Sequence, residues 1–195
     1  MPKIGMKPIR RAALVKATIA EIGEVGTLDV TVRQIAKRAG MSSGLAHHYF
    51  GGKEQIFLAA MRHTLALYAA EVRGALSMAV TPQDRIDAII TASFSRSNFQ
   101  RDVIAAWLNF YVLAQTSTQA RHLLFIYQYR LRSNLVFALR PLVGLRAGEV
   151  AEQLAGMIDG LYLRQSLGQT PINPERAIAH VMRTVALELE QGLAI

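Results

Sequence analysis

The chain has 195 residues, 22 Lys or Arg against 14 Asp or Glu, a formal net charge of +8 and no cysteine. The missing cysteine excludes disulfides, thiol nucleophiles and thiolate zinc sites, and leaves any metal to His, Asp and Glu. The length allows a small module joined to a larger core, and the 51% hydrophobic content can fill such a core without any run of about 18 uncharged apolar residues that would cross a membrane.

The opening MPKIGMKPIRR lacks the apolar stretch of a secretory signal, so a cytoplasmic chain with no membrane partner is expected. The positive charge is unevenly spread. Residues 1–53 hold nine Lys or Arg against three acids, whereas the remainder holds thirteen against eleven. A first quarter this basic is the footprint of a surface that meets a polyanion, or else a solvated basic face.

Apolar residues recur at three- and four-residue spacing, and no alternating strand of useful length interrupts them, so the fold class is all-α. A first helix is expected from Ile9 to Val25, with Leu14, Val15, Ala17, Ile19 and Ile22 inward and Gly26 stopping it. A short helix from Thr31, its N-cap, to Ala39 ends at Gly40, and another runs from Ser42 or Ser43 to Tyr49. Gly51-Gly52 then breaks the chain before a long helix over Lys53–Met78. Thr81-Pro82-Gln83-Asp84 opens a helix to Asn98. Helices over Asp102–Gln115 and Thr118–Arg140 follow, the latter closed by Pro141 and Gly144. Ala147–Leu167 and Pro174–Gln191 complete a count of nine. No internal repeat or low-complexity linker appears, so a boundary is expected at the start of the long helix. It would divide residues 1–53 from 54–195.

The segment TVRQIAKRAGMSSGLAHHYF has the pattern of a helix-turn-helix, in which one short helix rests on the phosphate backbone and a second enters a major groove about 12 Å wide. Ala36 is small where the helices cross, and Gly40 supplies a left-handed turn. Val32, Ile35, Ala39 and Met41 form an apolar underside. Ser42, Ser43, His47, His48 and Tyr49 present polar groups from the second helix, while Thr31 and Lys53 stand at helix N-termini, where phosphate is welcome. His47 and His48 cannot share a metal ion as an i, i+4 pair does, because neighbours point about 100° apart on a helix. Gly51-Gly52-Lys53 lacks the earlier glycine, the following hydroxyl and the preceding strand of a phosphate loop. Nor does the chain hold HExxH, GxSxG, a cofactor loop or a catalytic carboxylate pair, so no enzymatic activity, metal or cofactor is expected.

An N-terminal helix, TVRQIAKRAGMSSG and the junction HHYFGGKEQIF together resemble the TetR family of one-component repressors. AWLNFYVLAQ, RLRSNLVFALRPL and MIDGLYLR, with the opening MPKIGMKPIRR, are similar to its choline-responsive repressors of glycine-betaine synthesis. The resemblance implies a nine-helix architecture, operator double-stranded DNA as partner, and DNA contacts from Thr31, Arg33, Ser43, His47, His48, Tyr49 and Lys53. Ser42 and Gly44 complete that candidate set. The chain departs from the family at Ala46, where a branched aliphatic residue is usual, and at His47, where tyrosine is frequent.

Two helix-turn-helix heads on one duplex multiply a modest affinity, so a homodimer is expected. On the last helix Ile178, Val181, Met182, Val185 and Leu189 form an apolar stripe, and Gly156 and Gly160 lie four apart on the preceding one. Intramolecular packing would explain the same stripe. The resemblance favours a dimer seam through the last two helices. Trp107 and Tyr111 share a helix face and would make one wall of an aromatic box for a small cationic effector, choline by resemblance. Phe94, Phe110 and Tyr127 are further candidates, each of which is otherwise plain core. Asp159 is the candidate counter-charge, or alternatively a cap or interface hydrogen-bonder. A regulator of the same fold answering a lipophilic cation or an acyl compound is the alternative.

Overall fold

The structure, a computed structural model, describes residues 5–168 and 173–192. Among these residues it contains nine α-helices, one 3-10 turn and no strand: α1 (Met6–Val25), α2 (Val32–Arg38), α3 (Ser43–Phe50), α4 (Lys53–Met78), α5 (Pro82–Ser93), α6 (Arg101–Thr116), α7 (Thr118–Val143), the turn Gly144–Arg146, α8 (Ala147–Leu167) and α9 (Pro174–Gly192). None of these helices is long and apolar enough to cross a membrane.

Three boundaries differ from the sequence expectation by three residues or more, each for a local reason. α1 begins at Met6, three residues early, because Pro8 falls in the first turn, where amide groups have no helical partner to lose. α5 stops at Ser93 rather than Asn98, since the Asn98 side-chain amide donates to the Ala92 carbonyl (3.2 Å) and competes with the next helical turn. α7 runs through Pro141 to Val143. Proline there frees only the carbonyl four residues back, that of the exposed Phe137, and the helix ends at Gly144 with φ 57°.

The chain forms two compact units. One comprises the residues up to 65 together with 101–123, and the other comprises 66–100 together with the residues from 124 onward. The 26-residue helices α4 and α7 each contribute to both. In the first unit α6 packs along α1, and α2 and α3 pack on α1 and on each other. Leu14, Ile22, Ile35, Ala36, Ala46 and Ile104 fill the interior with no exposed surface. Of the residues expected inside, Ile19, Ala39 and Met41 are only half-buried, and Thr18 takes an interior position by giving its hydroxyl proton to the Leu14 carbonyl (2.7 Å).

In the second unit α9 packs on α5 and α8. Val181 and Val185 of the apolar α9 stripe are buried within the unit, and Ile178, Met182 and Leu189 are half-buried. The stripe therefore serves intramolecular packing in large part. The large apolar side chains that α8 and α9 leave exposed are Leu163, Leu167 and Leu187.

Candidate DNA-binding head and effector site

The two short helices of the head are held by caps and by α1. Thr31 closes a capping box on α2: its Oγ1 accepts from the Gln34 amide (3.2 Å), and the Gln34 Oε1 accepts from the Thr31 amide (2.8 Å). The Thr31 hydroxyl also donates to Gln34 Oε1 (2.6 Å), so its proton is used inside the cap. Ser42 caps α3 by accepting from the Leu45 amide (3.3 Å). Between them Gly40 takes φ 67°, a left-handed turn that glycine adopts without cost.

Arg38 ties α2 to α1. Its Nε donates to Glu21 (2.5 Å), and a second contact reaches Glu24. Arg11 of α1 donates to the Tyr49 carbonyl in the last turn of α3 and lies 4.1 Å from the centre of the Phe50 ring. Arg11 is a positioning residue that sequence reasoning missed, since nothing in the pattern separates it from its neighbour Arg10.

This framework leaves one face of α3 outward. Gly44, His47 and His48 are exposed, Ser43 and Tyr49 half-exposed, and Ala46 wholly buried. A buried alanine where the family usually has a larger residue fits the close approach of α3 to its neighbours. His47 Nδ1 lies 3.4 Å from the Gly51 carbonyl. Lys53, at the first position of α4, is exposed with its ammonium 5.5 Å from the Phe57 ring centre, and Arg33 is exposed on α2. The polar residues singled out from the sequence thus share the head, apart from the Thr31 hydroxyl, which is engaged in its cap.

The six candidate effector residues divide evenly between the two units. Trp107, Phe110 and Tyr111 belong to α6 in the first, where Trp107 and Phe110 are buried and the Trp107 and Tyr111 rings lie 6.5 Å apart at 39°. Phe94, Tyr127 and Asp159 belong to the second. There the Tyr127 hydroxyl donates to Asp159 Oδ1 (3.2 Å), and Tyr68 of α4 meets the Tyr127 ring edge-on at 5.4 Å. Ser93 gives its own proton to the Ile89 carbonyl (2.8 Å), so the Tyr68 hydroxyl is the donor in the 3.2 Å contact with Ser93 Oγ. Burial pushes the Tyr68 phenol up to about 12, reinforced by the negative charge of Asp159. Phe94 packs with Phe99 (5.1 Å) and Tyr162 (5.7 Å), and Tyr162 donates to the Ser93 carbonyl. Tyr68 and Ser93 lay outside the sequence reading because neither carries a local signal. Only the fold brings Tyr68 to Tyr127 and Ser93.

A helix-turn-helix braced on α1, with a polar outward face on its second helix, defines a DNA-binding regulator. The chain belongs to the TetR family of bacterial regulatory proteins, whose N-terminal pattern matches residues 14–60, and within it to the BetI-type transcriptional repressors, whose C-terminal pattern matches residues 82–190. It is 52% identical over 190 residues to the HTH-type transcriptional regulator BetI of Brucella anthropi, covering 97% of this chain and 98% of that one. The corresponding regulator of Rhizobium meliloti is 49% identical over 180 residues, covering 92% and 89%. Among solved structures, a transcriptional regulator from Pseudomonas aeruginosa PAO1 superposes with a TM-score of 0.81 at 26% identity, over 96% of this chain and 94% of that one. A regulator from Saccharomonospora viridis in complex with choline gives 0.80 at 20% identity, over 90% and 95%, and shares the fold.

Proposed function

We propose that this chain is a choline-responsive repressor of glycine-betaine synthesis genes, acting in the cytoplasm as a homodimer on its operator. The observation that carries the effector reading is Asp159, a carboxylate held by Tyr127 with the Tyr68 ring packed against Tyr127. An anion among aromatic rings is the chemical complement of a quaternary ammonium, which is drawn to both charge and ring faces. The full-length likeness to regulators named BetI and the choline complex of a protein of the same fold support it.

In this reading residues 1–53 are the DNA-binding domain. Thr31, Tyr49 and Lys53 anchor phosphates, the first by its position at the start of α2, and Ser43, Gly44, His47 and His48 face the groove, flanked by Ser42 and Arg33. Residues 54–195 take the effector and pair the subunits through α8 and α9. Choline acts only if it favours one state of the protein over the other. A coupling of about 2.7 kcal/mol would weaken operator binding about a hundredfold.

The test is fluorescence anisotropy on duplex from the chain's own upstream region, with and without choline. Salt-steep binding to that duplex that choline relieves is the expected result. Choline leaving both operator affinity and thermal stability unmoved, while a lipophilic cation or an acyl compound shifts them, would replace choline with that effector class.

A further inference from the structure

α3 carries two imidazoles side by side, His47 and His48, both exposed. Neither is paired with a carboxylate among the described residues. The elements that pack chiefly on α3 are α1 and α2. On α1 the acids are Glu21 and Glu24, both held by Arg38, and the other charged residues are Lys7, Arg10, Arg11 and Lys16. On α2 the charged residues are Arg33, Lys37 and Arg38. Arg11 occupies the Tyr49 carbonyl, and Lys53 follows at the start of α4. Asp29 lies in the loop between α1 and α2, and Glu54 in the first turn of α4 accepts from Ser117 (2.8 Å), so neither imidazole has an anionic partner among the described residues.

DNA would be that anion. Imidazole ordinarily titrates about pH 6.5, and adjacent residues on a helix point about 100° apart, so the two rings can reach separate phosphates or base edges without competing. The Gly51 carbonyl, 3.4 Å from His47 Nδ1, can only accept, so this contact is compatible with a ring that carries a proton on Nδ1.

Resting on the assignment of α3 as the groove-facing helix, we infer that protonation of His47 and His48 strengthens operator binding and makes the repressor's grip on DNA pH-dependent. Phosphates stabilise the imidazolium form, so the bound state takes up protons. Affinity that depends on the protonated rings is greater at lower pH and is lost as pH rises. A homodimer brings four such rings to one operator, and each imidazolium that neutralises a phosphate releases a counterion.

The full chain is titrated with duplex from its own upstream region at about pH 6 and about pH 8, from about 50 to 200 mM KCl, the range over which phosphate contacts are read by salt. At about 0.1 M salt the wild type is expected to bind at least about tenfold tighter at the lower pH, with a log–log salt slope steeper by about 2 to 4. The double variant His47→Gln/His48→Gln keeps amide donors without the charge. Whatever affinity it retains, it is expected to lose most of the pH difference. Calorimetry of wild-type binding in two buffers of different ionisation enthalpy reads proton uptake directly and is independent of how the variant folds. Proton uptake near zero, or a pH difference of the same size in the double variant, overturns the inference. Absence of salt-sensitive binding at either pH would instead refute the assignment of α3 to DNA.

Discussion

Gly23 of α1 lies against Asp102 of α6 so closely that a Cβ built on Gly23 would stand 2.4 Å from the Asp102 Cβ and 2.6 Å from its Cα. One turn on, Asn109 Nδ2 donates to the Gly26 carbonyl (3.1 Å), where α1 ends in a glycine with φ 77°. The last turn of α1 is thus clamped by α6 while Glu21 and Glu24 hold Arg38 of α2. Alanine at 23 gains up to about 1 kcal/mol of helix propensity, but a backbone atom at 2.6 Å cannot swing aside, and overpacking costs about 1–3 kcal/mol.

Gly23→Ala is therefore expected to destabilise the chain by about 1–2 kcal/mol in urea denaturation. Gly74→Ala in α4, where an added Cβ meets nothing within 4 Å, should stabilise it by about 0.5–1 kcal/mol. If both variants gained equally, α1 and α6 would have to lie further apart than described.

The head was legible in the sequence because its signals are local. Thr31, Ser42, Gly40 and the Gly51-Gly52 break are cap and turn chemistry, and the structure uses each where the pattern placed it. The boundaries of α4 and α8 followed for the same reason. The end of α5 did not, because Asn98 and Glu71 are joined across distant sequence (2.6 Å) and the competing bonds are invisible in a linear reading. The effector candidates suffered likewise. Trp107 and Tyr111 share a helix face, which spacing reveals, whereas Tyr68 meets Tyr127, and Tyr127 meets Asp159, only after three helices have packed. The α9 stripe was read correctly as apolar, but apolarity alone could not say that Val181 and Val185 face their own unit.

Tyr68 sets an alkaline limit on stability. Its phenol, pushed up to about 12 by burial, stays neutral in the folded chain at a pH where an unfolded tyrosine ionises. The stabilisation from keeping it neutral is complete below about pH 10 and is lost as pH rises toward 12, a total of about 3 kcal/mol. Tyr68→Phe should cost about 1 kcal/mol at neutral pH through the lost bond to Ser93. Its stability curve should then fall less steeply than the wild type's between pH 10 and 12. Parallel curves from urea melts at each pH would show that Tyr68 does not carry the linkage.

Asp159→Asn separates charge from shape in the proposed cation site. The amide keeps an oxygen that can accept from Tyr127, so the local bond at 3.2 Å can persist while the negative charge disappears. Operator affinity without effector should stay within about threefold of wild type, while the choline concentration that half-releases DNA should rise at least about tenfold. Trp107→Leu, on α6, is the companion variant. A large effect there with none at Asp159 would assign the ammonium to the α6 rings.

Gly156 tests the proposed subunit seam. It is exposed on α8, and a Cβ added there meets nothing within 4 Å in its own chain. Leu163 on the same helix and Leu187 on α9 are 47% and 51% exposed, which leaves apolar surface uncovered in the single chain. If a second copy packs against this face, Gly156→Leu forces the two helices apart. Light scattering should then show a shift from dimer toward monomer, and operator affinity should fall at least about tenfold as the two heads lose their linkage. A variant that remains dimeric and binds like the wild type would move the seam away from this face of α8.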